Sequence, residues 1–156
     1  MYEENQYGTH LPVLAYFVSK TTGPVLELGS GYYSTPILNL LCKDRLLVTA
    51  DSNKEWIRRF YSLRNYNHAF FEVDDWSKFD HIDKPWDVAF VDHAPGERRV
   101  VDIERLKNNC KYILVHDSET ASYGYEPTLS TFKYRYDYRF FRTWTTVVSN
   151  FNDCKV

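Results

Sequence analysis

Short apolar runs of strand length recur along the chain, and each stops on glycine or an acid. Val25-Leu26-Glu27-Leu28 ends at Gly29, the run 46–50 at Asp51, 69–73 at Asp74, 88–91 at Asp92, and 112–115 at His116-Asp117. Each is four or five residues of mostly β-branched, leucine or aromatic character, which predicts strands. The longer amphipathic stretches between them predict helices over 34–43, with Pro36 in the first turn, over 54–65 and over 97–108. Strands alternating with helices predict an α/β architecture, a doubly wound, mainly parallel sheet with helices on both faces. The tail departs from this rhythm. Runs 134–140 and 143–149 follow one another with no helix between, predicting a C-terminal antiparallel hairpin at one sheet edge. Ahead of the first strand, Thr9 is placed to cap a helix over 10–19 that carries Pro12 early and Leu11, Leu14, Ala15 and Val18 on one face.

In open sheets of this kind, ligands bind outside the carboxyl ends of the strands, where the strand order switches. Gly29, Asp51, Asp74, Asp92 and Asp117 all fall at those ends, so one rim gathers the ligand-competent residues.

Composition narrows the class. At 156 residues, one domain is expected, with 1–22 an N-terminal helical cap and 23–156 the ligand-binding core. No uncharged apolar run approaches the roughly 20 residues of a bilayer span, so no membrane association is expected. Met1 is followed by Tyr2, Glu3, Glu4 and Asn5, neither basic nor apolar, so a secretory leader is not expected and the cytoplasm is the expected compartment. Nineteen basic residues scattered among 21 acidic ones, a net charge of −2, disfavour duplex nucleic acid as a partner. Cys42, Cys110 and Cys154 are widely spaced and form no CxxC, which indicates neither a disulfide framework nor a zinc site.

Glu27-Leu28-Gly29-Ser30-Gly31-Tyr32-Tyr33-Ser34 follows a predicted strand and opens a predicted helix, the context of a nucleotide-binding turn. The third position of the dinucleotide fingerprint is Ser34 rather than Gly or Ala. Charge separates the cofactors. A pyrophosphate at this helix N-terminus would meet the Glu27 carboxylate, whereas S-adenosylmethionine presents an ammonium and a sulfonium that an acid favours.

Here the sequence resembles the class I S-adenosylmethionine-dependent methyltransferases, whose fold is Rossmann-like. Glu27-Leu28-Gly29-Ser30-Gly31 matches the acid-x-Gly-x-Gly motif, and Asp51, twenty residues past Gly31, matches the acid ending the second strand. Asp74-Asp75-Trp76 matches the acid after the third strand and a nearby apolar side chain, with Asp74 and Asp75 both open as the match. The resemblance implies that Glu27, Gly29, Ser30, Gly31, Asp51 and Ser52 hold the cofactor. It implies ribose hydroxyls on Asp51, and adenine beside Asp74 or Asp75 and Trp76.

The resemblance also turns the end of the fourth strand toward the methyl group, which makes Asp92 and His93 candidates for chemistry, with His116 and Asp117 on the neighbouring strand. An acceptor hydroxyl must lose a proton as it attacks, and an imidazole suits that task. Acids at these two strand ends permit Mg²⁺, but the sequence departs from the catechol-type pattern, so a metal is not favoured. Arg98 and Arg99 stand beside Pro95-Gly96 as either a solvated first turn or a grip on an anion. His10, near Tyr7 and Thr9, is a candidate lid; His68 and His81 receive no role. The expected function is O-methylation of a small-molecule or sugar-like acceptor. Two other readings stay open: a non-catalytic partner subunit that binds S-adenosylmethionine, and an NAD-dependent oxidoreductase. The Asn/Asp-Pro-Pro-Tyr/Phe signature of nucleobase amino methylation is absent, since the fourth strand ends in Asp92-His93-Ala94-Pro95.

Aromatic residues make up 17% of the chain, with 13 tyrosines, more than a core of this size calls for. Tyr2 and Tyr7 lie at the start, and Tyr32, Tyr33, Tyr123 and Tyr125 lie near the rim as candidates to stack on an acceptor ring. Tyr134, Tyr136 and Tyr138 alternate in the hairpin, as expected for a paved sheet face or a homodimer contact.

Overall fold

The computed structural model describes residues 6–156; Tyr2 lies outside them. Seven strands form one sheet: β1 (Val25–Leu28), β2 (Leu47–Asp51), β3 (His68–Glu72), β4 (Trp86–Val91), β5 (Cys110–His116), β6 (Tyr134–Tyr138) and β7 (Thr145–Ser149). Their order across the sheet is β3-β2-β1-β4-β5-β7-β6. The first five are parallel, and β7 runs antiparallel between β5 and β6. The order reverses between β1 and β4, so the loops after these two strands face each other at the switch point.

Both faces are covered, which is why the parallel strands read as unbroken apolar runs. Helices α1 (Leu11–Ser19) and α2 (Ser34–Leu41) pack Val13, Leu14, Phe17 and Leu38 on Val25, Leu47, Val88, Phe90 and Leu114. On the opposite face, α4 (Arg99–Leu106), α5 (Glu126–Leu129) and two 3₁₀ turns, Trp76–Lys78 and Asp80–Asp83, cover Leu26, Leu28, Val48, Val91, Ile113 and Val115. Tyr134, Tyr136 and Tyr138 alternate onto the α1 side and pack against Val147 and its neighbours, paving that face. Cys42, Cys110 and Cys154 are buried and unpaired. No helix among the described residues is long and apolar enough to cross a membrane.

Three local expectations need correction. The helix predicted over 54–65 is α3 (Lys54–Ile57) continued by a 3₁₀ segment, Arg58–Leu63. Three-residue spacing in such a segment stacks Phe60 over Ile57, and both bury on Phe70. The helix predicted over 97–108 begins as a 3₁₀ turn, Gly96–Arg98, and becomes α-helical only at Arg99. Thr9 does not cap α1. His10 occupies that position in helical conformation without a side-chain cap bond, while the Thr9 hydroxyl donates to the Gln6 carbonyl and lies 3.2 Å from His116 Nε2.

Candidate functional site

The glycine loop is shaped by its neighbours. Gly29 holds φ +92°, and a Cβ there would lie 2.6 Å from the carbonyl carbon and oxygen of Asp92 and 2.7 Å from the amide nitrogen of His93. Only glycine lets the loop after β1 press against the loop after β4 in this way. The Gly31 amide donates to Thr35 Oγ1 at 2.9 Å, and that hydroxyl stands 3.0 Å from each Glu27 oxygen. Thr49 donates to the same carboxylate at 2.7 Å.

Glu27 therefore supports the loop from below. It is fully buried on the α2 face, and burial pushes its pKa up to about 7 despite the hydroxyl donors. The expectation that it faces the cofactor is corrected by strand alternation: Glu27 shares its sheet face with Val25, beneath α2, rather than pointing off the strand end. Thr49 continues to His68 Nε2 at 2.8 Å, and His68 Nδ1 meets Asn39 at 2.8 Å, so His68 closes a buried polar chain.

Asp51 is at the predicted rim, but its carboxylate already accepts the Ser30 amide at 2.8 Å, the Ser30 hydroxyl at 2.7 Å and the Asn53 amide at 2.9 Å. A carboxylate has about four acceptor positions, which leaves about one for a ligand. Trp56 donates its indole N–H to the Ser30 carbonyl at 2.7 Å and, with Tyr32, walls the loop on the β2 side.

The acids after β3 take local partners. Asp74 is exposed and pairs with Lys54 at 2.6 Å. Asp75 caps the turn at Trp76 by accepting the Ser77 amide. Trp76 is buried and donates to the Ala94 carbonyl, which also accepts from Ser52 Oγ. Of the three residues expected at adenine, Trp76 is taken into the core beneath the loop after β4, while Asp74 and Asp75 stay exposed with local partners.

Asp92, His116 and Asp117 do come together. His116 Nδ1 lies 3.4 Å from Asp92 Oδ1 and 3.6 Å from Asp117 Oδ1. His116 Nε2 meets the hydroxyls of Thr143 at 3.0 Å and Thr9 at 3.2 Å. Nδ1 faces the two carboxylates, which favour a proton on that nitrogen. Burial alone would lower the His116 pKa, but Asp92 and Asp117 outweigh it and hold it above the usual imidazole value. Asp117 reaches back because its φ of 54° lies in the left-handed region.

Arg99, expected either in a solvated first turn or gripping an anion, instead braces this cluster. It is 6% exposed and donates to the backbone carbonyls of Asp92, His93 and His116 and to the Tyr125 hydroxyl. It also pairs with Asp92 at 3.1 Å and Asp117 at 3.6 Å.

His93 does not join them. It is 1% exposed, points to the other sheet face, donates from Nε2 to the Asp102 carboxylate at 2.9 Å and packs on Trp76. Successive residues at a strand end face opposite sides, so Asp92 and His93 cannot both meet one ligand. Tyr125 is likewise buried on Arg99, and Tyr123 lies against Gly96, which removes both as stacking surfaces.

Two cavities open at this rim. One, of about 520 Å³, is lined by Tyr7, His10, Ser30, Gly31, Tyr32, Tyr33, Ser34, Trp56 and Asp92. The other, of about 420 Å³, is lined by Gln6, Tyr7, Asp92, His116, Asp117, Thr120 and Thr143. They share Asp92 and Tyr7. The first fits S-adenosylmethionine in size and chemistry, with aromatic walls, exposed loop backbone and a carboxylate for a sulfonium. For a divalent ion, Asp92, His116 and Asp117 offer ligand atoms within 4.8 Å of one another. Mg²⁺ fits this set poorly, because one donor is an imidazole and the Arg99 guanidinium already pairs with both acids.

Strand order, glycine loop and acid rim together are those of the class I methyltransferase fold. Solved structures agree with the assignment. The bifunctional kinase-methyltransferase WbdD superposes with TM-score 0.63 at 16% identity over 94% of this chain, which spans 39% of that one. The N-methyltransferase NodS from Bradyrhizobium japonicum WM9 gives 0.64 at 13% identity, with 92% of this chain and 94% of that one covered. Spermidine synthase from Thermotoga maritima gives 0.63 at 10% identity, covering 97% and 61%. No protein-family model matches the sequence, and no curated protein matches it by sequence.

Proposed function

We propose that the chain is an S-adenosylmethionine-dependent methyltransferase that methylates an oxygen of a small, hydroxyl-bearing acceptor such as a sugar. The observation that carries this reading is the meeting of two cavities at Asp92, one along the glycine loop and one walled by His116 and Asp117. Cofactor in the first and acceptor in the second would face each other across that carboxylate. WbdD and NodS, both named as methyltransferases, share the fold and support the choice of cofactor.

In this reading the acceptor oxygen bonds to the methyl carbon as the carbon–sulfur bond breaks, leaving a methyl ether and S-adenosylhomocysteine. The hydroxyl proton passes to the Asp92 carboxylate, which lines both cavities and has His116 Nδ1 beside it at 3.4 Å. Holding both reactants at one carboxylate removes the entropy of bringing them together. The carboxylates also accept hydrogen bonds from neighbouring hydroxyls, which favours a polyol over an apolar acceptor.

Calorimetric titration with S-adenosylmethionine and with NADH, followed by transfer of a labelled methyl group to a panel of sugars, nucleosides and catechols, tests the proposal. Binding of the methyl donor and label in at least one hydroxylated acceptor supports it. Binding of NADH alone points to an oxidoreductase. Donor binding without transfer to any acceptor points to a partner subunit.

A further inference from the structure

His10 is 2% exposed, and neither ring nitrogen has a hydrogen-bond partner among the described residues. The large majority of buried side-chain polar atoms are paired, and His10 alone among the described histidines has both ring nitrogens buried without a partner. Packing does not supply it. The ring lies 4.6 Å from Phe90 and edge-on to His116 at 4.7 Å, contacts that a phenylalanine would make without stranding two nitrogens. Nor is the ring loosely held: it sits at the start of α1, where the His10 carbonyl accepts the Leu14 amide at 2.9 Å.

Position and chemistry suggest what the nitrogens await. His10 walls the cavity of the glycine loop, together with Ser30, Gly31, Tyr33 and Asp92, and takes no part in the wall of the neighbouring cavity at His116 and Asp117. It stands over β4 and β5, on the far side of the β1 loop from Trp56, which stands over β2. A ligand lying along the loop therefore has an aromatic end and a polar end. Burial, with His116 alongside, lowers the His10 pKa to about 3, so the ring is neutral and offers one donor and one acceptor.

We propose that His10 binds the amino-acid end of S-adenosylmethionine, its imidazole hydrogen-bonding the group that carries the carboxylate and ammonium. The inference rests on the cofactor reading above. It makes the segment before α1 part of the cofactor site.

The test compares two probes by calorimetry: S-adenosylhomocysteine, and 5′-methylthioadenosine, which keeps adenosine and sulfur but lacks the amino-acid end. His10→Phe keeps the ring packing and removes both nitrogens; His10→Asn keeps a donor and an acceptor. His10→Phe is expected to weaken S-adenosylhomocysteine about tenfold, the loss of about one hydrogen bond. Methylthioadenosine should stay within about twofold of wild type, since the lost bond serves only the amino-acid end. His10→Asn should recover part of the loss. Unliganded His10→Phe should also melt a few degrees higher than wild type, because it buries no unpaired nitrogen. Unchanged S-adenosylhomocysteine affinity in His10→Phe, an equal loss for both probes, or a lower melting temperature overturns the inference. If wild type binds neither probe, the cofactor reading itself fails, and this inference falls with it.

Discussion

Gly29 meets Asp92 backbone to backbone, so closely that a Cβ on Gly29 would stand 2.6 Å from the Asp92 carbonyl carbon. This contact locks the loop after β1 to the loop after β4 and so sets where both cavities lie. Gly29→Ala adds a left-handed penalty and a backbone clash and is expected to cost about 3 kcal/mol or more in urea denaturation. Gly124 is the control. It too has positive φ, at 69°, but a Cβ there meets nothing within 4 Å, so Gly124→Ala should cost only about 1–2 kcal/mol. Equal losses at the two positions would mean that the approach of the loops is not what requires Gly29.

Glu27 makes stability depend on pH. Its folded pKa of about 7 lies above the ordinary value of 4.5, so between these limits the native state holds a proton that the unfolded chain has lost. Its contribution is therefore greatest at low pH and falls as pH rises from 4.5 toward 7. Glu27→Gln removes that decline. The variant's stability advantage should grow from near zero at pH 4.5 to about 3 kcal/mol above pH 7, as read from denaturation midpoints across the range. A difference that does not change with pH would show that Glu27 ionises normally.

Arg99 is a brace whose loss strands two carboxylates. Arg99→Met leaves Asp92 and Asp117 without their buried cation, and three backbone carbonyls without a donor. It is expected to destabilise by about 3 kcal/mol or more. Arg99→Lys should recover little, since an ammonium cannot span acceptors that a planar guanidinium reaches together. Chemical denaturation of both variants measures this, and full recovery by lysine would refute it.

Asp92 and His93 are adjacent in sequence and should behave differently. Asp92→Asn removes a negative charge from the cavity, so it should weaken the cationic S-adenosylmethionine more than S-adenosylhomocysteine, by about three- to tenfold in the ratio of affinities. His93→Gln should leave both affinities within about twofold and instead lower stability by about 1–2 kcal/mol, through its bond to buried Asp102. Calorimetry on the two variants separates these roles.

Much of the fold could be read from local pattern. The five parallel strands begin and end within two residues of the positions their apolar runs predict, and the hairpin falls at the expected edge. Buried runs of four or five residues between turn residues have few other ways to satisfy both their side chains and their backbone. The helical boundaries were less legible. Whether 54–65 winds as α or 3₁₀ depends on the fit of Ile57 and Phe60 to Phe70, a residue on β3. The turns between β3 and β4 carry no helical period at all, and they cover the sheet with Trp76, Phe79 and Ile82 instead.

The site divides along the same line. The order of Gly29, Asp51, Asp92 and Asp117 along the chain places them at strand ends, because side-chain period and strand length are local properties of the backbone. Which of them faces a cavity is decided by neighbours far away in sequence. Glu27 turns under α2 to meet Thr35 and Thr49, Asp51 is taken up by Ser30, and His93 goes to Asp102 while Asp92 goes to His116 and Arg99. His10, Thr9 and Thr143 carry no motif and reach the rim only because α1 and the hairpin pack beside β4 and β5. A linear pattern records what each residue is able to bond. Burial and the competition among donors within reach choose the partner, and those exist only once the chain is folded.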